Sequence, residues 1–182
     1  MVYVLLGKGF EEVEALAPVD ILRRGGINVT TCGIGGREVV GSHGIPVMAD
    51  ILVEELNPEQ ADMIVLPGGL GGVASIRGSE KALSAISAVH ARGGFVAAIC
   101  AAPTILAELN ITDGKKATCY PGMEDQMGNA HMENAAVTTD GKIICGRAAG
   151  SAMAFGLALL RALGGKEKAE TVRNAMVAQE EV

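Results

Sequence analysis

Short apolar runs alternate along the chain with longer stretches of mixed apolar and polar character. Val2 to Leu6 (VYVLL), INVTTCG, DMIVLPGG and FVAAI read as strands, the second rich in β-branched residues. Gly7 to Gly9 turn the chain into a helix from about Phe10 to Arg24, which Gly25 and Gly26 close. A helical stretch surrounds Val73 to Ile76, and Ser79-Glu80 cap a longer helix, KALSAISAVHARGG, again ended by a glycine pair. Thr104 to Leu109 continue as a helix after FVAAI. REVVGSHGIPVMAD reads as a small hairpin turning at Gly41 to Gly44, NPEQ as a loop or short helical turn, and KATCYP as a short strand. AVTTDGKIICG is a second hairpin, turning at Asp140-Gly141. SAMAFGLALLRALGG is an apolar helix and KEKAETVRNAM a final amphipathic one.

Strands alternating with helices, with no linker, repeat or low-complexity segment, predict an α/β sandwich: a mainly parallel sheet with helices on both faces. Ligands in such folds sit beyond the carboxyl ends of the strands. Three strand ends therefore matter: the Gly7–Gly9 turn, Pro67-Gly68-Gly69, and Cys100.

Length and composition narrow the function. At 182 residues the chain suits one domain over 1–182, and 49% hydrophobic with 20% charged residues describes a folded protein. A formal charge of −6 argues against nucleic acid and anionic membranes as primary partners. No apolar stretch reaches membrane-spanning length, and MVYVLLGKGFEEVE lacks the basic start of a signal peptide, so a cytoplasmic location is expected. Cys32, Cys100, Cys119 and Cys145 form no CxxC motif or Cys/His cluster. A zinc site and a disulfide framework are both disfavoured, leaving four free thiols.

One thiol stands apart. FVAAICAAP carries an apolar strand into a cysteine followed by two small residues and a proline. A nucleophile on a sharp strand-to-helix turn projects above the sheet edge and needs small neighbours. Ala101 and Ala102 are small, and Pro103 fits a first helical turn. The helix start is expected to lower the thiol pKa and to offer free N–H groups to an oxyanion. The competing assignment is a Cys packed as a small hydrophobe. In LPGGLGG, Gly68 and Gly69 permit close backbone approach, either as an oxyanion hole facing Cys100 or simply as a tight turn; the Walker pattern is absent. In GFEEVE, Glu11 and Glu14 share a helix face and Glu12 points elsewhere, toward solvent. A Glu buried beside Cys100 would stay protonated and donate to sulfur, whereas exposed acids would merely complement the helix dipole.

KGFEEVEALAPVDILRRGGI, DMIVLPGG, AAICAAPTIL and GRAAGSAMAFGLALL, in this order, resemble the ThiJ/PfpI superfamily, and within it the DJ-one branch, over nearly the whole chain. The resemblance implies a flavodoxin-like three-layer sandwich related to class I glutamine amidotransferase domains, with a nucleophile elbow, usually as a homodimer. It assigns the reactive, oxidation-sensitive nucleophile to Cys100 and the protonated acid to Glu14. It places the oxyanion-hole backbone at Gly68, Gly69 and Ala101, and an anion-binding arginine at Arg147. The arginine that usually partners the latter is replaced by His43. Ala101 stands where protease-like members carry a histidine, which disfavours a Cys-His peptidase. Tyr120, beside Cys119, stands where some members carry another histidine. His90 sits in a helix C-terminal turn, and His131 lies in a Gly/Asn/Met loop.

The family chemistry implied is cofactor-free, metal-free conversion of α-oxoaldehydes such as methylglyoxal to hydroxy acids, or removal of glycated adducts. The alternative is an oxidation-sensing or chaperone protein that uses the same cysteine without significant turnover; a flavodoxin-like cofactor binder is a third possibility. By resemblance, REVVGSHGIPVM and the first helix would form the dimer interface.

Overall fold

The structure, a computed structural model, describes residues 1–178. The strands are β1 (Val2–Leu6), β2 (Val29–Gly33), β3 (Glu38–Val40), β4 (Pro46–Met48), β5 (Ile51–Leu52), β6 (Met63–Leu66), β7 (Phe95–Ile99), β8 (Lys116–Ala117), β9 (His131–Met132), β10 (Val137–Asp140) and β11 (Ile143–Gly146). The helices are α1 (Glu12–Arg24), α2 (Leu70–Arg77), α3 (Glu80–Ala91), α4 (Pro103–Glu108), α5 (Ala152–Gly164) and α6 (Lys166–Ala175). Seven strands form the central sheet in the order β10-β11-β7-β6-β1-β2-β5. All neighbours are parallel except β10 and β11, which pair as the expected antiparallel hairpin.

β1, β6 and β7 are continuously apolar because both faces of the sheet are covered. Val2, Val4 and Leu6 join the core under α1, α5 and α6, with Met63, Val65, Ala97 and Ile99. Tyr3 and Leu5 join the opposite core under α2, α3 and α4, with Ile64, Leu66, Val96 and Ala98. Full burial of a side chain such as Leu6 or Ile64 contributes about 2 kcal/mol. The three-layer α/β arrangement predicted from the sequence is the one found.

Smaller elements depart from the expectation. β5 is a two-residue edge strand pairing only with Cys32 and Gly33 of β2. Within KATCYP only Lys116 and Ala117 are a strand, and they pair in parallel with His131 and Met132. The β10–β11 turn is Gly141-Lys142, since Asp140 still pairs with Ile143.

The strand order reverses at β1. The chain runs outward to β2 on one side, and to β6 and β7 on the other. The carboxyl ends of β1, β6 and β7 therefore meet at one crevice, the point where α/β sheets bind ligands.

Candidate active site

Cys100 follows directly on β7 and precedes α4. Its φ is +67°, a left-handed conformation that costs a residue with a side chain on the order of 1–2 kcal/mol. Four hydrogen bonds hold it there. Its N–H donates to the Gly146 carbonyl of β11 at 2.9 Å, and its carbonyl accepts from the Tyr120 N–H at 2.8 Å. The Ala102 N–H donates to the Ile99 carbonyl at 3.1 Å, and the Thr104 hydroxyl to the Ala101 carbonyl at 2.7 Å. The other three thiols, Cys32, Cys119 and Cys145, are fully buried, and burial pushes each well above the ordinary thiol range. Cys100 alone is half-buried, packed between the two cores.

Glu14 comes to Cys100 from α1 across the mouth of β1. Its carboxyl has no exposed surface. Oε2 accepts from the Gly68 N–H at 2.8 Å. Oε1 has no well-aligned hydrogen-bond partner, and the side chain with which the carboxyl interacts is the Cys100 thiol. Burial raises the Glu14 pKa to about 7; the Glu11 charge adds to the rise, while Cys100 and the Gly68 amide oppose it. Burial likewise pushes the Cys100 thiol up to about 12, and ionised Glu14 adds to that, against the pull of the Ala101 and Gly69 amides. The sequence expectation of a lowered thiol pKa is thus corrected. The amides do favour the thiolate, but α4 begins only at Pro103, and burial beside a carboxylate outweighs them.

The Glu14 contribution to this rise exists only while Glu14 is ionised. A proton placed on Glu14 removes the repulsion and turns the carboxyl into a donor toward sulfur. The two groups therefore behave as one pair that loses its first proton near the lower value.

Gly68 and Gly69 are required by this geometry. A Cβ on Gly68 would land on Glu14 Oε2 and within 2.6 Å of the Cys100 Cβ. Gly69 has a φ of +80° and caps the start of α2, and a Cβ there would run into the Gly9 carbonyl. Its amide and that of Ala101 are the two backbone donors on the Cys100 sulfur.

Glu12 is not solvated as the sequence suggested. It is 4% exposed, and the β3–β4 turn wraps it. It accepts from the Ser42 hydroxyl at 3.1 Å, the His43 N–H at 2.8 Å and the His43 ring at 2.9 Å, with the Ile45 N–H at 3.5 Å. Burial alone would raise its pKa, but these donors bring it down to about 2. His43 is placed on this carboxylate, which raises its own pKa, and no contact joins it to Cys100 among the described residues. Glu11, Glu12 and His43 bring ligand-type atoms within 4.8 Å of one another. The hydrogen bonds within the set already account for it as an anchor for the turn.

Arg147 follows Gly146, the residue whose carbonyl holds the Cys100 amide. It lines a concavity of about 490 Å³ with Asn134, Ala136 and Ser151, and its charge acts on Cys119. Tyr120 is tied to Cys100 through its backbone while its side chain is half exposed. His90 is exposed in the last turn of α3, and His131 is exposed in β9. The structure thus brings Cys100, Glu14, Gly68, Gly69 and Ala101 together, places Arg147 next in sequence to Gly146, which bonds the Cys100 amide, and sets His43 apart. Sequence reasoning missed Thr104, whose hydroxyl braces the elbow; its place four residues after Cys100, in the first helical turn, was the available signal.

The model of the DJ-1/PfpI family matches residues 1–162. Protein dj-1beta of Drosophila melanogaster is 37% identical over 177 residues, spanning 96% of this chain and 95% of that protein. Its crystal structure superposes with a TM-score of 0.92 at 35% identity over 98% of each chain. The structure of oxidized DJ-1 from Toxoplasma gondii superposes with a TM-score of 0.94 at 31% identity, again over 98% of each chain. A protein of Pyrococcus abyssi named as a deglycase is 34% identical over 156 residues, 85% of this chain and 93% of its own.

Proposed function

The chain belongs to the DJ-1/PfpI family, and from that premise we propose that it is a cofactor-free enzyme acting on α-oxoaldehydes such as methylglyoxal, or on their adducts with proteins. The observation that carries this is the pairing of a half-exposed thiol at a strained elbow with a fully buried carboxyl near neutrality. The deglycase name of the Pyrococcus abyssi relative supports the substrate class.

The chemistry follows from the pair. Cys100 sulfur attacks the aldehyde carbon while its proton passes by way of Glu14 to the aldehyde oxygen, giving a hemithioacetal. The Gly69 and Ala101 amides stabilise negative charge as it develops. Glu14, ionised again, removes the hydrogen from that carbon and returns a proton to the neighbouring carbonyl carbon through an enediol. The product is a Cys100 thioester of the hydroxy acid. Water cleaves it to lactate and free thiol, so methylglyoxal and one water give lactate with no net oxidation. Arg147 would receive an anionic group on a larger substrate.

Lactate production from methylglyoxal, without glutathione, tests the proposal in wild type, Cys100→Ala and Glu14→Gln. Turnover lost in both variants is expected. No turnover in wild type with its thiol reduced would overturn it. The second function to weigh is oxidation sensing, favoured by the same half-exposed sulfur beside a proton-donating acid and by the oxidized Toxoplasma gondii relative. Peroxide-dependent change of state without turnover is its signature.

A further inference from the structure

The two amides on the Cys100 sulfur come from different elements, Gly69 from the start of α2 and Ala101 from the elbow before α4. Nothing in the local sequence of either element sets the distance between them. One side-chain network joins them. Arg77, the last residue of α2, donates from Nη2 to the Thr104 hydroxyl at 2.9 Å. Thr104 is fully buried, and its hydroxyl donates in turn to the Ala101 carbonyl at 2.7 Å. The Arg77 guanidinium is fixed in turn by the Glu108 carboxylate on α4, with Nε to Oε2 at 2.8 Å and Nη2 to Oε1 at 2.7 Å. This two-point contact is the planar fork that arginine offers and lysine does not.

We propose that Arg77 and Thr104 are positioning residues that clamp the C-terminal end of α2 to the first turn of α4 and so hold the two sulfur-facing amides at a fixed spacing. Without the clamp, the strained elbow relaxes and the Ala101 amide swings away from sulfur. The inference rests on Cys100 being the reactive thiol, and it concerns residues that touch neither the sulfur nor a substrate.

The test is the pH dependence of Cys100 alkylation by iodoacetamide, followed by mass spectrometry of the modified residue. Glu14 is the one titratable group acting on Cys100 among the described residues, with Glu11 acting on Glu14 in turn, and neither is altered in the variants. Thr104→Val removes the hydroxyl with no change of charge. It should slow alkylation by roughly three- to tenfold across the pH profile, with the inflection set by Glu14 left in place, as expected when one of two amides stops stabilising the thiolate. Arg77→Ala, at a partly exposed side chain, should slow it in the same way. Thr104→Ser restores the hydroxyl and should restore the profile. Arg24→Ala breaks an exposed Arg24–Asp20 pair and should leave the profile unchanged. Unchanged alkylation rates in folded Thr104→Val and Arg77→Ala would overturn the inference while leaving the reactive thiol intact. A wild-type Cys100 that resists alkylation at all pH values would instead remove the reactive thiol, and the inference with it.

Discussion

Glu12 and Glu14 lie two residues apart on one helix, both buried, and their environments push them in opposite directions. Glu12 receives donors from Ser42, from the His43 backbone and ring and from Ile45, and its pKa falls to about 2. Glu14 receives one backbone donor and faces a thiol, and its pKa rises to about 7. Burial acts on both in the same sense, so the number of donors decides the outcome. A fully satisfied buried acid is an anchor. A buried acid with an oxygen left over can hold a proton near neutral pH and give it back, which is what acid–base chemistry requires.

The largest expected effect separates the two in turnover. Glu14→Gln should lower methylglyoxal turnover by at least about a hundredfold, the usual range for losing a general acid–base group. Glu12→Gln should stay within about threefold per folded molecule, because its carboxylate touches no atom of the Cys100 site. Equal losses in both would break the comparison.

Stability should separate them in the opposite order. The folded pKa of Glu14 lies above its ordinary 4.5, so the stability it contributes is present below that value and lost as pH rises through about 7. At pH 8 in denaturant titrations, Glu14→Gln should therefore stabilise the protein, by on the order of 3 kcal/mol at most. Glu12→Gln should destabilise it by about 2 kcal/mol, since several donors are left poorly paired. The folded pKa of Glu12 is depressed, so its contribution is present above the ordinary value and lost as pH falls toward about 2. A stability curve for Glu12→Gln that converges with wild type at acid pH would sharpen the contrast; a constant offset would contradict it. Smallest is Ser42→Ala, which removes one exposed-side donor to Glu12 and should cost no more than about 1 kcal/mol in the same titration, with turnover unchanged.

This contrast was only half legible in the sequence. Cys100 stood out because the requirement of a strained elbow for small neighbours and a helix-starting proline is local, and FVAAICAAP meets it within nine residues. β1, β6 and β7 were legible for a similar reason, since burial on both faces writes itself as an uninterrupted apolar run. What decides the state of each glutamate is non-local. Glu12 looked solvated because the turn that covers it arrives thirty residues later through Ser42 and His43. The donor to Glu14, Gly68, is fifty-four residues away. The same holds for the Arg77–Thr104 bond, and for β5, β8 and β9, two-residue strands that exist only through their distant partners. The family resemblance supplied the Cys100–Glu14 pairing that periodicity could not, but it carried no information about Glu12, whose cover is a feature of this turn.

The central claim is that Glu14 and Cys100 share a proton that leaves the pair near neutral pH. The most direct measurement is the rate of Cys100 alkylation against pH in wild type and in Glu14→Gln. The account predicts a wild-type rate that rises through an inflection near pH 7 and an inflection that is absent at that pH when residue 14 cannot ionise. The same inflection in both proteins would show that Cys100 titrates without Glu14 and would contradict the account.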